Sequence, residues 1–150
     1  MTSPASPAPH GDAQLAAQLK RERLRFTGFE FTRTPNGRCA AEVQLEWLDG
    51  APIVGRAEGF TSPLGDYRIA AEATLRALED FTHGELQLEL IGVKAMRAFD
   101  ANVVIVAVNV RHGGPRRLLG CHLAESDAMR ATVFAVLSAT NRVLGNFLSR

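Results

Sequence analysis

Charge of one sign, long apolar runs and clustered metal-ligating side chains are all scarce in this sequence, and each scarcity removes a class of function. Lys and Arg number 17 against 16 Asp and Glu, a net charge of +1. That balance carries no electrostatic footprint for nucleic acid and no acidic tail. The longest apolar stretch, Val103 to Val108, is too short to span a bilayer, and the Pro/Ser/Ala-rich start lacks the basic and apolar regions of a secretory signal. The sequence therefore predicts a cytoplasmic protein with neither a nucleic-acid nor a membrane partner. The histidines are His10, His83, His112 and His122, and none has a second His, Cys or carboxylate at metal-ligand spacing, so no metal and no other cofactor is expected. Cys39 and Cys121 lack C-x-x-C spacing and read as buried free thiols. Cys121 and His122 are neighbours in a predicted strand and so face opposite ways, which denies them a nucleophile–base pairing. With no acid, base or nucleophile constellation to assemble, the chain reads as a non-enzyme. Gly113 to Arg117 reads as a hairpin loop rather than a phosphate grip, because no helix start follows it.

What is present is a globular composition, 46% hydrophobic over 150 residues, enough for one good core. Met1 to Asp12 has too little apolar surface to offset the entropy of ordering it and reads as a disordered tail. Residues 13–150 read as a single domain, opening with a short lead-in helix from Ala13 to Arg25 in which Leu15 and Leu19 share one side.

The rest of the chain repeats one unit twice, over about 24–81 and 86–148, each copy reading as three strands and a helix. Gly28 and Gly92 hold matching places in the first strands, Gly55 and Gly120 in the third strands, and Ala73, Leu75 and Ala77 match Ala135, Leu137 and Ala139 in the helices. Nearly constant offsets leave only small loop differences. In the first strand Leu24 and Phe26 share a phase, and Phe29 and Phe31 take the other. In the fourth, Leu86, Leu88 and Leu90 give way to Val93 and Ala95. A period-2 pattern that slips at a glycine marks a bulge or bend, here predicted at Gly28 and Gly92.

Pro35-Asn36-Gly37 supplies a hairpin turn. Cys39, Ala41, Val43, Leu45 and Trp47 then alternate with mainly polar residues, describing a strand with one wet face. A third strand runs from Ile53 to Glu58. The equivalent central strand of the second copy, Val103 to Val108, is apolar on both faces, so its outer face requires a cover: the other copy, another subunit or a fused domain.

Asp66 is the expected cap of a helix from Tyr67 to Phe81 with a small-residue stripe of Ala70, Ala73 and Ala77. Ser126 or Asp127 caps the second helix. That helix carries two stripes, Met129, Val133, Val136, Thr140, Val143 and Phe147 beside Phe134, Leu137, Asn141, Leu144 and Leu148. This is wider than one sheet contact requires, and it places Asn141 as a polar group in an apolar stripe, set either to bond a ligand or to satisfy a carbonyl of its own chain.

The run Leu118-Leu119-Gly120-Cys121-His122-Leu123-Ala124-Glu125-Ser126-Asp127, continuing through Ala131, Thr132 and Ala135 to Asn141, resembles the C-terminal regulatory domain of 2-isopropylmalate synthase and its citramalate synthase relatives. Gly59 to Asp66, with Ala73 and Ala77, is similar to the corresponding part of that domain's first unit. The resemblance covers nearly everything from Leu24 onward. It implies an α+β fold of two βββα units about a pseudo-twofold axis, a homodimer and a bound amino-acid effector. The synthase's catalytic barrel is absent from this sequence. His122 stands where the family has a second glycine, and both helix-entry loops are longer.

The candidate site implied is formed by the two helix-entry loops, with Gly59 and Asp66 from one copy, Gly120, His122, Ala124 and Asp127 from the other, and Asn141 further along the second helix. Helix N-termini offer unpaired N–H groups to a carboxylate, and His122 is expected to line and narrow a pocket between the loops. The function expected is a stand-alone regulatory or small-molecule-binding domain, with an amino acid as the implied effector. The alternative is a structural module that docks onto a separately encoded protein and binds no ligand.

Overall fold

The fold is known from a computed structural model that describes residues 24–48, 50–111 and 116–148. Strands β1 (Arg25–Arg33), β2 (Arg38–Glu46) and β3 (Ile53–Phe60) precede helix α1 (Pro63–Phe81); β4 (Leu88–Ala98), β5 (Ala101–Val110) and β6 (Arg116–Leu123) precede α2 (Ala128–Leu148). Each trio forms an antiparallel sheet in sequence order. The architecture is therefore α+β, two βββα units in tandem, with the helices packed on their own sheets and on each other. The expected disordered tail lies outside the described residues, as does the lead-in helix up to residue 23; Arg25 already belongs to β1.

Both glycine-marked phase changes are bulges. Phe26 pairs with Leu45 and Gly28 with Gln44, leaving Thr27 as the extra residue; Leu90 pairs with Val108 and Gly92 with Ala107, leaving Ile91. The inserted residue repairs the broken alternation. Phe26, Phe29 and Phe31 stand opposite Leu45, Val43 and Ala41, and so share the core-facing side that the raw period-2 pattern split between two faces. Neither glycine has a positive φ. A Cβ at Gly28 would come within 3.0 Å of Gln44 Oε1, whereas one at Gly92 would meet nothing within 4 Å. Gly92→Ala is therefore expected to leave stability unchanged or raise it by up to about 1 kcal/mol, because alanine restricts only the unfolded chain. A loss above about 1 kcal/mol in chemical denaturation would show that the bulge itself demands glycine.

The units dock their helices in the same way. A Cβ on Gly55 would lie 2.1 Å from Ala73 O and 2.4 Å from Ala77 N; one on Gly120 would lie 2.2 Å from Ala135 O and 2.5 Å from Ala139 N. Each helix backbone thus rests directly on its third strand, which explains the small-residue stripes. Helix α1 starts a turn earlier than the sequence suggests. Ser62, in extended conformation, is its N-cap, its Oγ accepting from Gly65 N–H at 2.8 Å, and Pro63 fills the first turn. Asp66 lies inside that turn instead of capping it. In α2 the cap is Asp127, whose Oδ1 accepts from the Met129 and Arg130 N–H groups, both at 3.1 Å.

Leu45, Leu78, Leu86, Val104, Val106, Val108, Val133 and Val136 are fully buried. Buried Thr74 and Thr140 donate their hydroxyls to the carbonyls one turn back, Ala70 O and Val136 O, each at 2.9 Å. Val133, Val136 and Val143, from the stripe that makes this helix wider than one sheet contact requires, are covered within this chain, and Leu144 with them. Their cover comes from α2's own sheet and from α1. Asn141 is exposed, although Leu144 in the same stripe is buried.

The open faces of the two sheets differ. The first carries Glu30, Glu42, Glu46, Arg56 and Glu58, with Arg56 bonded to Glu42 at 3.0 Å. The second carries Met96, Val103, Ile105, Ala107, Leu119, Cys121 and Leu123 around Lys94, with Glu89, Asn109 and Arg117 towards one end. Leu119 is 68% and Leu123 50% exposed.

Candidate functional site

The entry to α1 is closed by its own side chains. Asp66 is buried, and its Oδ2 accepts from Arg33 Nε and Nη2 at 3.1 and 2.7 Å, while Oδ1 accepts from Thr61 Oγ1 at 2.7 Å and from Ser62 N–H at 3.3 Å. Burial opposes ionisation, but the hydrogen bonds from Thr61, Arg33, Cys39 and Ser62 outweigh it and hold the Asp66 carboxyl below the usual carboxylate range. The same burial, followed by the neighbouring carboxylate, pushes the Cys39 thiol up. Gly59 pairs with Cys39 on this side of the sheet, where an added Cβ would press Ile69 Cδ1 at 3.0 Å. Gly59 and Asp66 are thus brought together as a packed cluster. Arg33, which completes it, carries no sequence signal, because it meets Asp66 only through folding of the β1–β2 hairpin onto α1.

The entry to α2 is open, and Glu125 and Ser126 of its loop line two cavities. The larger, about 700 Å³, wraps round the end of edge strand β6 and is lined by His122, Asp127, Arg130, Phe134 and Val103, with Phe99 on its rim. His122 pairs with Val104 and Cys121 with Ile105, so the two face opposite sides of the sheet. The His122 ring stands 5.0 Å from that of Phe134, which contacts Phe26 of the first unit edge-on at 5.0 Å; the Arg130 guanidinium lies 5.0 Å from the Phe26 ring and 6.0 Å from Phe134. In the first unit the position matching His122 is Ala57, buried, so this wall exists only in the second copy.

The smaller cleft, about 480 Å³, is lined by the second unit and by Tyr67 of the first; Arg97, Asn102, Glu125 and Ser126 are its polar lining and Val104 and Ala124 part of its apolar lining. Arg97 pairs with Asn102, and Ala95 with Val104, on the helix side of the sheet. Ala124 N–H donates to Asn102 O at 2.8 Å, tying the entry loop to the β4–β5 hairpin.

Of the residues expected at the site, Ala124 lines the inter-unit cleft, and His122 and Asp127 line the larger cavity. Gly120 lies under α2, occupied with helix docking. Asn141 is fourteen residues beyond Asp127, about 21 Å along the helix. The sequence reading missed Arg97, Arg130 and Phe99. A basic or aromatic residue near a strand end carries no periodic signal until the strand ends are known. Cys39 is buried as expected, but Cys121 is exposed, because its side of β6 belongs to the open face. Among the described residues no group of three or more His, Cys, Asp or Glu is placed to hold a metal ion, and no helix is long and apolar enough to cross a membrane. Comparison with known proteins finds no matching family model and no matching curated protein.

Proposed function

We propose that this chain is a non-enzymatic regulatory domain that binds a small amino-acid-like ligand in the cleft between its units and works as a homodimer. The cleft's lining carries this reading: Arg97 and Glu125, opposite in charge, share it with Asn102, Ser126 and Tyr67 and with the apolar Val104 and Ala124. A zwitterion offers a carboxylate to such a guanidinium and an ammonium to such a carboxylate. The resemblance to the synthase effector domain points the same way. A thermal-shift screen against the amino acids and their keto-acid precursors tests it. A ligand at a hundred times its dissociation constant adds about 2.7 kcal/mol of stability, and Arg97→Ala is expected to abolish the shift. Silence across the screen, or an undiminished shift in Arg97→Ala, would overturn the cleft as the site.

The second reading, a module that docks a separately encoded protein without a ligand, is favoured by one observation, the apolar open face of the second sheet. It gains if no ligand is found and the wild-type chain is monomeric.

A further inference from the structure

The hairpin that joins β4 to β5 ends in two residues, Phe99 and Asp100, between the paired Ala98 and Ala101. Both have positive φ, 53° and 60°. A two-residue turn of this kind favours Asn-Gly, and a bulky aromatic at its first position is held in a conformation that L residues avoid. The phenylalanine is also wholly uncovered, at 101% relative exposure. Strain and an uncovered ring at one hairpin tip call for something to receive it. The receiving shape is adjacent: the cavity of about 700 Å³ with Phe134, Leu123 and Val103 in its walls and Arg130 and His122 beside them.

Resting on the homodimer reading, we infer that the Phe99–Asp100 tip of one copy seats in the α2-entry cavity of a second copy, Phe99 against the apolar wall and Asp100 toward Arg130. Three observations support a second copy as the occupant. An isologous contact needs a projection and a recess on one patch, and here Phe99 stands on the recess's own rim. On charge, the tip's acid meets Arg130, which makes no ion pair among the described residues, although Glu125 also lines the cavity. Asp127, the acid nearest that guanidinium in sequence, is engaged in capping α2. The patch is also continuous with the open face, because Val103, Cys121 and Leu123 belong to both. Each site would then be completed by the partner copy.

The test replaces the tip by a relaxed turn, Phe99→Asn with Asp100→Gly, which suits the backbone already present and leaves the protomer folded. Sedimentation of the wild type at micromolar concentration is expected to show a dimer, and the double variant a dissociation constant weakened about tenfold or more. Cys121 lines the cavity, whereas Cys39 is buried, so a thiol reagent reads the same event: slow labelling in the wild-type dimer and fast labelling in the variant. An unchanged dissociation constant with Cys121 still protected overturns this contact while the homodimer stands. A monomeric wild type with Cys121 freely labelled overturns both, and leaves the cavity to a small ligand or a different protein.

Discussion

Gly55→Ala and Gly120→Ala are each expected to cost about 3 kcal/mol or more and to lower the melting temperature by several degrees or more. The added methyl would sit 2.1 or 2.2 Å from a helix carbonyl oxygen and under 2.6 Å from a helix amide nitrogen, all of them backbone atoms. A flexible side chain could swing away from such a contact; a helix can only lift, and in lifting it uncovers the buried Ala73 and Ala77, or Ala135 and Ala139, along the line of contact. Chemical denaturation of the two variants measures the cost, and the duplication supplies an internal control, since the losses should be alike. A loss below about 1 kcal/mol at either site would mean that the helix yields far more easily than its packing implies.

Asp66→Ala is expected to destabilise by about 2–3 kcal/mol at neutral pH, because it strips the partner from Thr61, Ser62 N–H and Arg33 at once. The effect carries a pH signature. A carboxyl whose folded value lies below its unfolded one binds its proton less tightly in the folded state, so its contribution is complete above the ordinary value of about 3.9 and is lost as pH falls through the lowered folded value. Urea titrations of wild type and variant should therefore converge as the pH drops below about 4. A gap that stays constant from neutral to acid pH would show that the loss comes from packing and not from the charge. Arg33 is 60% exposed in its side chain, so its part in the effect is held down by solvent.

Much of the fold was legible because it depends on local pattern. Alternation placed β2 and a continuous apolar run placed β5, and the slip at Gly28 and Gly92 located both bulges, since an extra residue must break a period of two. The helix start at Ser62 was less legible. Asp66 and Ser62 are both good caps by residue type, and only the extended backbone at Ser62 with Pro63 after it decides between them. The breadth of α2's apolar surface was legible, but its cover was not: whether Val136 meets a partner or its own chain depends on where α1 lies.

The candidate site was less legible than the fold. The helix-entry loops were located from glycine and aspartate positions, yet the same signature describes an entry filled by Asp66 and its donors and one left open beside His122. Periodicity, small residues and turn chemistry act over short chain distances, and they were enough to specify two βββα units, their bulges and helix faces small enough for close packing. Which side chains fill the entries, that the apolar outer face of the second sheet lies open, and that Phe99 stands uncovered beside a cavity were fixed by the folded arrangement. Those depend on Arg33, Phe26 and Arg130 reaching groups far away in the chain, and such contacts leave no mark on local spacing.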